Sequence, residues 1–377
     1  MAWLETTEQL ALQEAARAIV REVVIPMADS VPAGERLSAA QLSTIFKAVK
    51  PLGYLGSTIP KEYGGAGLSY VDYGLLIEAL ACGPVMLSEV VPPRTINYLG
   101  TEDQKRRWMP KLFSGDWVST AAITEPQAGS DMRAFTCTAV LDGDSYVVNG
   151  RKRWIKLGSV SDLMTLMVVD ASGGLSRLVL ERSESPWTSI DINTVGIRNL
   201  SLAELVFDNV RVPKENILGT AGDGGEQFHR GIESSRAFIG IQAVGIAQHA
   251  LDIAMQYAKD RKAFGRPLTK FQAIQTALAE AATQLQAARL LCLNALAILD
   301  AHRRAPCDVS MAKVFAVQTA IKVCLVAMES MGAWGLAEDA DVERCWRDCC
   351  MLTAIDGTAN VQKLIIGREL LGTAAFT

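Results

Sequence analysis

An α+β fold, mainly α, is predicted by three observations. Apolar residues at helical spacing fill the first and last parts of the chain, strand chemistry is concentrated between them, and glycine and proline mark the junctions. The expected architecture is an N-terminal helical domain over residues 1–117, a small antiparallel β-sheet domain over 118–216 and a C-terminal four-helix-type bundle over 217–377. With 377 residues, 49% of them apolar, the chain can bury sizeable cores.

In residues 7–24, Leu10, Leu12, Ala15, Ala16, Ile19 and Val20 recur at helical spacing, and Pro26 predicts a stop just beyond. A second helix over 38–49 ends at Pro51-Leu52-Gly53. Helices follow over 69–81 and 102–113, the latter capped by Thr101 with Gln104 at the reciprocal position, and Pro92-Pro93 interrupts the apolar region between them. The glycine-rich stretch from Ile59 to Gly67 lacks the G-x-G-x-x-G spacing behind a strand, which excludes a Rossmann site there.

Strand chemistry is densest over 118–158. Thr138-Ala139-Val140-Leu141 and Ser145-Tyr146-Val147-Val148 flank Asp142-Gly143, a dipeptide that tight hairpins favour, and Asn149-Gly150 repeats the signal. Runs at 162–169, 176–180 and 204–212 extend the sheet, and 219–225 returns the chain to helix. Alanine-rich helical patterns then occupy 226–259, 272–302, 308–331 and 358–371, with a shorter one near 342–352 and breaks at Pro267, Pro306, Gly332 and Gly335.

A formal charge of −4 argues against a nucleic-acid partner. The eight cysteines form no C-x-x-C pair and His229, His249 and His302 are dispersed, so no metal site and reduced cytoplasmic thiols are expected. Met1-Ala2-Trp3-Leu4-Glu5 carries no signal-peptide pattern. The longest apolar tract, 237–255, is interrupted by Gln242, Gln248, His249 and Asp252 and reads as a bundle helix, with no membrane partner.

Four segments carry polar groups where chemistry is conceivable. The irregular loop Thr124-Glu125-Pro126-Gln127-Ala128-Gly129-Ser130-Asp131 offers backbone donors and hydroxyls to a polar ligand, or is a plain surface turn. Asp356-Gly357-Thr358 stands between two helical patterns, where an aspartate serves either as a base or as a solvated helix cap. Arg261-Lys262-Ala263-Phe264-Gly265-Arg266 with Phe271-Gln272 reads as a basic turn between helices. Glu233-Ser234-Ser235-Arg236 places an ion pair at i,i+3 on one helix face.

Together with Trp154-Ile155-Lys156, these segments resemble, in order and from about Leu10 to Leu371, the acyl-CoA dehydrogenase family of flavoproteins. The resemblance implies FAD and an acyl thioester on CoA or a carrier protein. Asp356 stands where the family's Glu-Gly-Thr carries the base that removes the α-proton while flavin N5 takes the β-hydride. The aspartate is shorter by one methylene, about 1.5 Å, and a misplacement of about 1 Å can cost ~100-fold in rate.

By the same resemblance Thr124, Ser130, Trp154 and Ile155 surround the ring and pyrophosphate, and Thr358 joins the cofactor set. Lys156 replaces a threonine that donates to N5; it either stabilises reduced, anionic flavin or points to solvent. Arg261, Phe264 and Gln272 match residues that contact the adenosine diphosphate half across a subunit interface, implying a homodimer or homotetramer. Glu329, Gly332 and Ala333 occupy the family's Gln-x-x-Gly-Gly, where a carboxylate needs screening by Arg261 or Arg344. Glu233, Arg236 and Gly357 are implied substrate contacts, and an electron-transfer flavoprotein is the implied acceptor. The departures at Lys156, Glu329, Ala333 and Asp356 suggest a specialised member, as in secondary metabolism. Two alternatives remain open at this point: a flavin-dependent oxidase or monooxygenase on the same fold, and a non-catalytic protein that has lost flavin.

Overall fold

The computed structural model describes residues 5–32 and 34–375, without the side chains of residues 226, 227, 229 and 230. Met1 to Leu4 and the His229 side chain therefore lie outside the described residues. Helix α1 (Thr7–Ile19) starts on a capping box between Thr6 and Gln9. It does not stop at Pro26: a π-helical turn, Val20–Val24, leads into α2 (Ile25–Asp29) with the proline in its first turn. The wider turn accommodates a residue that has no N–H and whose ring crowds the preceding carbonyls.

Ser38 and Gln41 box the start of α3 (Ala39–Val49), and Ser69 caps α4 (Tyr70–Leu80). Pro92-Pro93, expected only to interrupt an apolar region, opens a helix, because proline is tolerated in the first turn of α5 (Val91–Leu99). Helix α6 (Glu102–Ser114) carries the expected Thr101/Gln104 box.

The sheet comprises β1 (Ser119–Ala122), β2 (Thr138–Asp142), β3 (Ser145–Lys156), β4 (Leu163–Val169), β5 (Leu175–Glu181), β6 (Thr188–Asp191), β7 (Leu202–Pro213) and β8 (Ile217–Leu218). Its order is β6-β7-β3-β2-β4-β5-β8, with β1 added on β4. Most pairings are antiparallel, but β1 and β2 both run parallel to β4, so the sheet is mixed and not purely antiparallel. In the β2–β3 hairpin Asp142 pairs with Ser145, which makes Gly143-Asp144 the loop, with Gly143 at φ +62°. Asn149-Gly150 is no turn. It is a bulge inside β3 opposite β7, and a Cβ on Gly150 would lie 2.6 Å from the Cys137 Cα.

The bundle consists of α7 (Gly224–Asp260), α8 (Gln272–Asp300), α9 (Pro306–Met331), α10 (Val342–Met351) and α11 (Ala359–Leu371). Among the described residues, three of its helical stretches are long and apolar enough to cross a membrane by length and composition alone. Here α7 and α9 are largely buried by the fold, whereas α8 leaves Leu290 and Leu291 exposed. All eight cysteines are free thiols. His249 and Asp341, remote in sequence, meet beside Cys345 at 3.0 Å, and Arg344 also binds the Asp341 carboxylate.

The N-terminal domain locks on to the bundle through α4. Arg289 of α8 binds the buried Glu78 at 2.6 and 2.9 Å and reaches Glu5 at 2.7 Å. At the α4–α7 crossing a Cβ on Gly245 would lie 2.3 Å from the Glu78 carbonyl oxygen, a backbone atom with nowhere to retreat. Gly245→Ala is therefore expected to destabilise by about 1–3 kcal/mol. Gly367→Ala, on the open face of α11 with nothing within 4 Å, gains helix propensity instead. Thermal melts should show a fall of several degrees for the first and none for the second.

Candidate active site

A cavity of about 910 Å³ opens where α5, β1, the end of β3, β5 and α7 meet the segment after α10. Leu42, Phe46, Leu112 and Trp117 contribute apolar wall. Its charged lining, among the described residues, is Glu89, Arg94, Lys156, Arg177 and Asp356.

Asp356 sits in the left-handed region at φ +54°, a conformation that costs an aspartate about 1 kcal/mol or more and needs outside support. Three side chains from two bundle helices and the following α11 supply it. Lys313 of α9 donates to the carbonyls of Ile355, at 2.5 Å, and Gly357. Arg236 of α7 donates to the Asp356 carbonyl at 3.2 Å. Gln362 donates to the same carbonyl at 3.0 Å and to that of Gly357 at 3.1 Å.

The helix cap is Thr358, whose hydroxyl accepts from the Val361 amide, so Asp356 is not spent on capping α11. Its carboxylate accepts no hydrogen bond among the described residues and faces the cavity. Burial pushes its pKa up; Lys313, Arg236, Arg94 and Lys156 pull the other way without cancelling the shift. An unpaired carboxylate of raised pKa in an enclosed pocket has the properties of a general base.

Opposite it, Glu89 pairs with Arg94 at 3.1 Å and accepts from the Ser235 hydroxyl at 2.7 Å, while Arg94 donates to both Ser234 and Ser235. Burial also raises the Glu89 pKa, against Arg94. Lys156 turns into the cavity and donates to Ser88, whose backbone carbonyl accepts from buried Tyr54. Burial brings the Lys156 pKa down to about 8, against the pull of Asp356 and Glu89. Arg177 of β5 is 4% exposed, with its guanidinium 5.5 Å from the Phe228 ring centroid.

The loop after β1 is fixed by an ion pair absent from the sequence expectations. Glu125 and Lys152, both fully buried, meet at 2.8 Å; Glu125 also accepts from the amides of Thr136 and Cys137, and Lys152 donates to the Ile123 carbonyl. This anchor holds Thr124 on the cavity wall and leaves Ser130 exposed on the loop. Beside Thr124, Trp154 has φ +66° and keeps 48% of its surface exposed, while Ile155 is buried under it. A large aromatic held open on a strained backbone, next to the donors of Thr124 and Lys156, suits a planar ring edged with acceptors, and the residues therefore fit a flavin.

The structure thus gathers Thr124, Trp154, Ile155, Lys156 and Asp356 around one cavity. A second set lies on the surface. Arg261 and Phe264 belong to the small hairpin of β9 (Lys262–Ala263) and β10 (Arg266–Pro267) and its approach, and Gln272 opens α8. Glu329 in the last turn of α9 and Gly332 and Ala333 in the 3-10 turn that follows it are exposed, as is Trp334. Phe264 is 96% exposed, with its backbone in the left-handed region at φ +50°.

Among the expected substrate contacts, Arg236 donates to the Asp356 carbonyl and the Gly357 carbonyl accepts from Lys313. Glu233 lies outside the cavity lining, its carboxylate accepting from Arg304 at 2.6 Å and the Ala305 amide at 3.1 Å. Sequence reasoning passed over Glu89, Arg94, Arg177, Lys313 and Gln362. A charge in the middle of an otherwise apolar pattern, as at Arg177 and Lys313, was the available signal.

Lys313→Met removes the cation that most lowers the Asp356 pKa and two carbonyl partners. The sign follows: the Asp356 pKa rises further, so the activity limb that needs the ionised carboxylate moves to higher pH. The unmet carbonyls should cost about 1–3 kcal/mol in addition. A pH–rate profile and a thermal melt check both effects.

Three families match the chain in sequence: the acyl-CoA dehydrogenase N-terminal domain over residues 6–116, the middle domain over 120–210 and the C-terminal domain over 222–371. A probable acyl-CoA dehydrogenase of Bacillus subtilis, YngJ, is 34% identical over 97% of this chain and 98% of its own. A chain from the electron transferring flavoprotein structure of Acidaminococcus fermentans superposes with a TM-score of 0.93 at 30% identity, covering 99% of this chain and all of its own. A Mycobacterium smegmatis glutaryl-CoA dehydrogenase solved with FADH2 superposes at 0.89 with 26% identity, covering 99% and 97%. With all three domains matched in order along the chain, it belongs to the acyl-CoA dehydrogenase family of FAD-dependent oxidoreductases.

Proposed function

We propose that the chain dehydrogenates an acyl thioester across its α,β bond with Asp356 as the base. The observation that carries this reading is the Asp356 carboxylate, held without a hydrogen-bond partner at the cavity wall and raised in pKa by burial. Asp356 takes the α-proton, the thioester gains a conjugated double bond, and the carboxyl group formed carries no charge in a pocket that penalises one. Bound FAD supplies the acceptor for the hydride leaving Cβ. Lys156 and Thr124 present donors to the same space, and Lys156 offsets negative charge that develops there.

The substrate is carried on CoA or on a carrier protein, and an electron-transfer flavoprotein is the proposed oxidant of the reduced enzyme. Exposed Phe264 and Trp334, with Leu290 and Leu291 on α8, support a homodimer or homotetramer in which Arg261, Gln272, Glu329, Gly332 and Ala333 complete the dinucleotide site. Ser130 and Thr358 extend the cofactor set on the near side.

The test is anaerobic mixing of the flavin-loaded protein with thioesters on both carriers, followed by flavin absorbance. The expected result is bleaching by wild type, with Asp356→Asn retaining flavin but reduced about 10²–10⁴-fold more slowly. Equal rates in the variant reject Asp356 as the base. Stoichiometric peroxide release in air, without need of an acceptor protein, would support the oxidase alternative.

A further inference from the structure

Arg177 has no place in the proton-transfer chemistry, yet it is a cation buried in the cavity wall without a hydrogen-bonding or acidic partner among the described residues. It projects from the middle of β5, is 4% exposed and lines the cavity, and its Nε finds no hydrogen-bond partner. It makes no hydrogen bond or ion pair among the described residues; the face of Phe228 at 5.5 Å is its recorded contact. Its nearest influential charge is another cation, Arg94, and burial followed by that repulsion brings its pKa down to about 10. An unpaired guanidinium out of water is strongly unfavourable, and cores do not retain one without a counter-charge.

The acids that line the cavity do not supply that counter-charge. Glu89 is committed to Arg94 and Ser235, and the uncommitted Asp356 couples to Lys313, Arg236, Arg94 and Lys156 but not to Arg177. Arg94, Lys156 and Arg177 line the cavity with Glu89 and Asp356, and of these three cations Arg177 is the one with no acidic partner or hydrogen bond among the described residues. Arg94 acts electrostatically on both Asp356 and Arg177, and all three line the same cavity.

We propose that the substrate carries an anionic group, a carboxylate on its acyl chain, and that Arg177 binds it as a planar, forked partner. This assignment rests on the thioester-dehydrogenase reading and specifies its substrate class. The binding gives Arg177 the counter-charge it lacks and holds the substrate at a second point besides the thioester, so that Cα is presented to Asp356 in one register. A phosphate on the thioester arm is the other source of the same anionic chemistry.

The experiment compares, with flavin-loaded enzyme, a carboxy-terminated acyl-CoA and its methyl-terminated counterpart of equal length, and repeats the pair as N-acetylcysteamine thioesters, which have no phosphate. Wild type should favour the carboxylated member by at least about 30-fold in kcat/KM on both arms. Arg177→Met should bring that ratio close to 1, and Arg177→Lys should restore part of it. Because the methionine removes a buried, unpaired charge, its melting temperature without substrate should be no lower than wild type, which separates loss of recognition from loss of fold. A wild-type preference for the methyl-terminated substrate overturns the proposal. So does an Arg177 effect that vanishes on the phosphate-free arm, which would assign the arginine to the arm. Failure of every thioester to reduce the flavin would sink the dehydrogenase reading itself, a separate outcome.

Discussion

The site depends on how three backbone carbonyls are held. Ile355, Asp356 and Gly357 would, in a free loop, turn their carbonyls to water and let the aspartate relax out of the left-handed region. Lys313, Arg236 and Gln362 take those carbonyls instead, from α9, α7 and α11. Three donor side chains, two of them charged, are thereby spent on main chain, and the carboxylate is left with nothing but the cavity in front of it. Had any of the same cations bonded the carboxylate directly, its pKa would fall and its basicity with it.

The electrostatic consequence is a balance that burial wins. Lys313, Arg236, Arg94 and Lys156 are close enough to favour the ionised form, so the carboxylate is available as a base, while desolvation keeps its proton affinity above that of a solvated aspartate. The shorter side chain is compatible with this arrangement because the clamp sets the backbone position, and a fixed backbone determines how far a one-methylene difference reaches. The same cavity holds a second acid, Glu89, in a different role: its pairing with Arg94 and Ser235 organises polar wall.

Much of the helical architecture was legible because local signals agreed with the global fold. The Thr101/Gln104 box and the alanine-rich periods of α7, α8, α9 and α11 all mark their elements in the chain. What misled were local signals reread by tertiary context. Pro26 sits behind a π turn, Pro92-Pro93 starts α5, and Asn149-Gly150 bulges where the strands approach too closely for a side chain. The parallel pairing of β1 and β2 with β4 depends on which strands lie side by side, which a strand's own sequence does not encode. For the site, Asp356 and the Trp154 segment could be found because they are contiguous motifs. Glu125–Lys152, Lys313, Gln362 and Arg177 act across long separations, so even where a charge interrupts an apolar pattern, as at Arg177 and Lys313, its surroundings are set only by the fold.

The central claim, a clamped and unpaired aspartate that ionises Cα–H, is tested most directly by hydrogen exchange. An acyl-CoA with a quaternary β-carbon cannot lose hydride, so in D2O with flavin-loaded enzyme its only chemistry at this site is exchange of an α-hydrogen, read by mass spectrometry of the recovered thioester. The account predicts deuterium at Cα with wild type and none above background with Asp356→Asn. Exchange by the asparagine variant at the wild-type rate would contradict it.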